Sequence, residues 1–183
     1  MTPVDSAEHP IYTSLLTLVP KMLPAHSRVP GGEQLEWFKV VVCGSRHFAD
    51  ADAVAAALGA LYQVSNNTGR TLTVASGGAR GADSLAQTWC AAHNVPFRQF
   101  RADWNTHGRA AGPIRNREML AAKPDFVLGL HYDISDGAGT QDMLKVAKKA
   151  GVPVVLVSGP DRVVSEEYDM FVPLVRKNSS HYR

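Results

Sequence analysis

Residues 71–100 read TLTVASGGARGADSLAQTWCAAHNVPFRQF, and the fold is decided by how this stretch is parsed. Thr71–Ala75 is a short run of β-branched and apolar residues, the composition of a strand. Ser76 to Asp83 (SGGARGAD) carries three glycines and reads as a tight loop. Ala82–His93 is long enough for a helix, and another short strand is predicted near Phe97–Phe100. Strand, helix and strand in so few residues make a parallel crossover unit.

The same alternation extends in both directions. Upstream lie a strand at Phe38–Cys43 and a helix at about Ala51–Val64. Downstream come a helix at about Pro113–Ala122, a strand at Phe126–Leu130, a helix at about Thr140–Ala150 and a strand at Val152–Val157. Strands that are apolar on both faces need cover on both faces. The expected fold class is therefore α/β, an open and mainly parallel sheet with helices on both faces and right-handed crossovers. The domain layout predicted is an N-terminal extension over 1–36, a core over 37–160 and a C-terminal edge element with a polar end over 161–183. The extension holds five of the eleven prolines, and only Ile11–Leu23 has helical apolar spacing. Leu15, Leu16, Leu18 and Val19 then form one apolar face, which without a basic flank suits packing on the domain or on a second subunit rather than on a membrane. Gly31-Gly32 reads as the hinge into the core.

Composition narrows the class of protein. A chain of 183 residues with 45% hydrophobic and 20% charged residues suits one soluble globular domain. No apolar run is long enough to cross a bilayer, and MTPVDSAEHP lacks the features of a secretory signal. Cys43 and Cys90 fall inside predicted elements with no ligand spacing, so buried reduced thiols and a cytoplasmic location are expected. A formal charge of +2 offers no long-range pull toward nucleic acid.

In an open parallel sheet, ligands bind beyond the carboxyl ends of the strands, so the residues following each strand are candidates. The first strand ends in Gly44-Ser45-Arg46. The second runs into Ser76, Gly77, Gly78, Arg80, Gly81 and Asp83. The third leads to Trp104 and then to Arg109, Arg115 and Asn116. The fourth is followed by Gly137, Gly139 and Thr140. Glycine lets backbone N–H groups approach an anion. A helix opening behind each loop adds unpaired N–H groups and the positive end of its dipole. Arginine adds a planar fork matched to phosphate oxygens. Arg115 and Arg117 sit early on a helix, where a cation opposes the dipole unless an anion joins it. Pro113 is placed at the first helical position.

Taken singly, each feature has a plainer reading. The glycines serve tight turns, Arg46 and Arg80 pair on the surface, Asp83 caps its helix and Trp104 packs. The functional readings are a phosphate cradle, a ribose contact from Asp83 and a base stacked on Trp104. Four loops on one edge, three with arginine, favour the cradle. The scattered histidines give no metal-ligand spacing. GxSxG, GxxxxGK[ST] and GxGxxG are all absent, which disfavours an esterase elbow, an ordinary ATPase and a standard dinucleotide dehydrogenase. Neither a metal nor a resident cofactor is expected.

GSRHF, SGGARGADSLAQTWCAAHNVP, ADW, GRAAGPIRNREML and GAGTQDMLKVAKKAG, in that order over about Val40–Val157, resemble the SLOG superfamily of Rossmann-like domains, in its YspA-related branch of bacteria and phages. The resemblance implies a nucleotide-binding pocket. The superfamily includes nucleoside-phosphate phosphoribohydrolases, the DNA-processing protein DprA and sensor domains for NAD-derived nucleotides. In the hydrolases a PGGxGTxxE loop and an earlier arginine act. Arg115 is similar in placement to that arginine, and Gly137, Gly139 and Thr140 match the GxGT. The glutamate falls at Met143, which can be neither acid nor base, and Asp142 stands one residue away. The resemblance also implies a homodimer or higher oligomer.

The expected function is thus binding or sensing of a phosphate-containing nucleotide, NAD-derived, ADP-ribose-like or a nucleoside phosphate. The alternative is an N-glycosidic nucleotide hydrolase using Arg115 and a carboxylate such as Asp142. Single-stranded DNA binding, by analogy with DprA, is a weaker alternative that the small net charge does not favour.

Overall fold

The computed structural model describes residues 8–23, 37–158 and 163–164. The predicted hinge at Gly31-Gly32, both domain boundaries and the polar end KNSSHYR lie outside them. Helix α1 spans Pro10–Met22, followed by β1 (Trp37–Gly44), α2 (Ala51–Asn67), β2 (Thr71–Ser76), α3 (Ala82–Ala92) and β3 (Phe97–Gln99). Next come α4 (Trp104–His107), α5 (Ala111–Ala121), β4 (Phe126–Leu130), α6 (Ala138–Lys149), β5 (Val154–Val157) and β6 (Val163–Val164). The sheet order is β3-β2-β1-β4-β5-β6. The first five strands are all parallel, and β6 joins the edge antiparallel to β5. This is a Rossmann-like α/β fold.

Alternation along the strands assigns the two faces. Phe38, Val40 and Val42 of β1 join Phe126, Leu128 and Leu130 of β4 in the core beneath α1, α2 and α3. Val41 and Cys43 join Val127 in the core beneath α5 and α6. From the central pair β1 and β4 the chain winds outward in opposite directions, and crossovers of one hand then put their helices on opposite faces. The carboxyl ends of β1 and β4 form the switch point of such a sheet, where the crevice opens.

Helix α1 lays Ile11, Leu15, Val19 and Met22 into the first of these cores against α2. Leu16 and Leu18, expected on the same face, pack at its margin. The start of α5 differs from expectation. Helix α5 begins at Ala111, so Pro113 occupies the third position rather than the first; its missing N–H still falls among the four that a helix leaves unpaired. The short α4 and the 3₁₀ turn Gly108–Ala110 precede it.

The amino ends of the strands are tied together by an ion pair whose cation is buried. Arg70, just before β2, donates to the Trp37 carbonyl and to Asp125 Oδ2 at 2.8 Å. Asp125, just before β4, also accepts from the Lys39 amide of β1 at 2.8 Å. The Arg70 side chain is 4% exposed and lies against the Phe38 ring.

Candidate functional site

At the opposite, carboxyl edge a cavity of about 570 Å³ opens over the β1/β4 switch point. Of the residues singled out from sequence, Gly44, Ser45, Arg46, Gly77, Asp83, Trp104, Arg109, Arg115, Asn116, Gly137, Gly139, Thr140 and Asp142 all line it. Ser76, Gly78, Arg80 and Gly81 are not part of the lining. Ser76 is buried and accepts from the Gly78 amide at 3.2 Å. Gly78 faces the Gln99 side chain, Gly81 faces the Ser45 and Arg46 carbonyl region, and Arg80 is exposed. Arg117 is exposed and donates back to the Pro113 carbonyl within α5.

Packing dictates Gly44, and Gly77 leaves the space that the Arg115 guanidinium takes. A Cβ on Gly44 would stand 2.3 Å from the Leu130 carbonyl oxygen and 2.5 Å from the Ala82 Cβ. A Cβ on Gly77 would overlap the Arg115 guanidinium, 1.5 Å from Nη1. Gly139 is different. Outside its own helix turn, nothing among the described residues comes within 4 Å of the place its Cβ would take, although it sits in the first turn of α6. Glycine there costs helix stability relative to alanine, and no contact among the described residues calls for it.

Helix α6 also starts uncapped. Its N-cap is Gly137, which has no side chain, and the first bond of the helix is Gln141 N–H to the Gly137 carbonyl at 2.8 Å. The amides of Ala138, Gly139 and Thr140 make no hydrogen bond among the described residues. Helices α2 and α4 are capped by Asp50 and Asp103 instead. The positive end of α6 is therefore left open to the cavity, with Arg115 on its floor and the exposed Arg46 and Arg109 on its rim.

The glycine loop after β2 behaves otherwise than a free cradle. Its Ala79 amide donates to Asp83 Oδ2 at 3.1 Å, and the Gly77 and Gly78 amides also face that carboxylate. A side chain of the protein already occupies the position an anion would take. Burial pushes the Asp83 carboxyl up to about 6, although the Ala79 amide, the Arg115 charge and the other amides all pull it down. Cys43 beside it is raised well above the ordinary thiol range, chiefly by burial and then by Asp83, so it stays protonated. An acid whose folded pKa exceeds its unfolded value costs stability when ionised, so the Asp83 contribution improves as pH falls from 6 toward 4. We expect the difference in unfolding free energy between the parent and Asp83→Asn to change by about 2–3 kcal/mol over that window. Urea titrations at pH 4 and pH 7 check this, and parallel pH profiles would refute it.

Asn116 joins three parts of the site. It is 2% exposed. Its Oδ1 accepts from Arg115 Nε at 3.2 Å, while its Nδ2 donates to Asp142 Oδ2 at 2.8 Å and to the Gly139 carbonyl at 3.3 Å. Met143, at which the resemblance would place a glutamate, is fully buried in the core and absent from the lining. Two further acids near these loops have other places: Asp103 caps α4, and Glu118 is exposed outside the cavity.

Sequence reasoning passed over His47, His131 and Asp136, which also line the cavity. His131 follows β4 directly and is buried. Its ring packs so closely on Gly137 that a Cβ there would lie 2.6 Å from Nε2, which is itself 3.6 Å from Asp136 Oδ1. The signal that would have found it is the rule used for the other strands, that the residue directly after a central strand faces the crevice.

Fold and crevice together define a Rossmann-like domain with its candidate site at the switch point. Residues 38–107 match the model of the YspA, cpYpsA-related SLOG family. The chain is also 36% identical over 122 residues to the Gene 61 protein of Mycobacterium phage D29, a match covering 64% of this chain and 94% of that protein. The chain belongs to the YspA, cpYpsA-related SLOG family. Among the described residues no helix is long and apolar enough to cross a membrane.

Proposed function

We propose that the cavity binds a phosphate-bearing nucleotide. The observation that carries this reading is the open start of α6: among the described residues three amides have no partner and no contact calls for the glycine, and Arg115 lines the same cavity. An anion seated there gains the helix end and a guanidinium fork together. Arg46 and Arg109 on the rim suit a second phosphate. Trp104, 53% exposed and leaning over Gly112 at the cavity mouth, offers a face for a base. These features fit a nucleoside phosphate, ADP-ribose or another NAD-derived nucleotide, and family membership favours the same class.

The test is thermal unfolding of the full chain against AMP, ADP, ADP-ribose and NAD. A ligand at ~100 times its dissociation constant is expected to add about 2.7 kcal/mol. Absence of stabilisation by every phosphorylated nucleoside would sink the reading. N-glycosidic hydrolysis is a second reading, favoured by the Asp142 carboxylate that Asn116 holds at the cavity wall. Released base in the same samples, measured by chromatography, separates turnover from binding.

A further inference from the structure

We propose that Asp142 reads the ribose, so that the site prefers ribonucleotides over 2′-deoxyribonucleotides; this rests on the nucleotide reading above. Asp83 was the sequence choice for that contact, but its carboxylate is already engaged by the 77–79 loop amides. Asp142 has the opposite arrangement. One oxygen, Oδ2, is fixed by Asn116 Nδ2 at 2.8 Å, and Oδ1 has no hydrogen-bond partner among the described residues. The residue is half-buried and lines the cavity.

Its position along α6 gives the free oxygen a purpose. Asp142 lies one turn beyond Ala138, on the same side of the helix, and helix side chains lean toward the N-terminus. The carboxylate is thereby brought beside the anion site. A bare negative charge in that place would repel phosphate across a distance of a few ångströms. It becomes favourable only if the same ligand brings hydrogen-bond donors to it, and a carboxylate is an acceptor of hydroxyl protons. A nucleotide carries such donors one sugar away from its phosphate, as the ribose hydroxyls. Asn116 acts as the positioning residue: its buried amide holds the Arg115 guanidinium by one atom and Asp142 by the other, so cation and acceptor keep a fixed spacing.

Calorimetric titration of the full chain with AMP and with 2′-deoxy-AMP tests the assignment. AMP is expected to bind about tenfold or more tightly, the weight of one hydrogen bond to a charged group. In Asp142→Ala the two nucleotides should bind alike, with 2′-deoxy-AMP held at least as tightly as by the parent because the repelling charge is gone. Asn116→Ala should shrink the ratio as well, though the amide touches neither ligand. Equal binding of both nucleotides to the parent overturns the ribose assignment and leaves the phosphate site standing. Discrimination that survives Asp142→Ala overturns it too. Binding of neither nucleotide removes the nucleotide reading and this inference with it.

Discussion

Arg115→Ala is expected to weaken binding of a phosphorylated nucleoside by about 100-fold or more, from removal of a charge-assisted, partly buried fork whose anionic partner is left unpaired. The guanidinium does three things at once. It fills the space over Gly77, it donates through Nε to Asn116, and its charge favours the ionised form of Asp83. Arg115→Lys should recover little, because an ammonium cannot keep the Nε bond while also presenting a fork. Arg117→Ala, two residues along the same helix but bonded to the Pro113 carbonyl and outside the cavity, should bind like the parent. Calorimetry on the three variants decides the matter. Parent-like affinity in Arg115→Ala would remove the anion from the floor of the cavity.

Asp125→Ala is expected to cost about 3–5 kcal/mol of stability, the range for stranding a buried charge. Arg70 has its side chain 4% exposed, and Asp125 is its ion-pair partner. Its Nε and Nη1 already lack partners among the described residues, and Nη2 would keep only the Trp37 carbonyl. The Lys39 amide loses its acceptor in the same stroke. Replacing Arg70 by methionine in the Asp125→Ala background should restore most of the loss, since the charge is then no longer buried. Urea unfolding of parent, single and double variants measures it. A single variant within about 1 kcal/mol of the parent would show that the guanidinium reaches water when released.

The two central strands were legible because their apolar runs occupy both faces, a pattern that suits a covered parallel sheet. Helix α4 was not, because Trp104, Asn105, Thr106 and His107 have no apolar period and no buried residue; the Asp103 cap makes the turn. In the site, the residues after β1 and before α6 could be named from glycine and arginine alone. The loop after β2 could not be resolved in this way. Its composition is that of an anion cradle, but the anion it holds is its own Asp83, and a sequence does not tell an internal acceptor from an external one. Burial of His131 was hidden for a similar reason: it depends on Gly137, six residues on, folding back over the ring.

Gly44 is the place where both windings of the chain meet, since its missing side chain admits the β4 carbonyl from one wing and the α3 methyl from the other. A side chain at that point would displace both walls of the crevice together, whereas Arg46, Trp104 and Arg109 on the exposed lip have room to change independently. The domain thus separates a keystone that tolerates no tinkering from a periphery open to diversification.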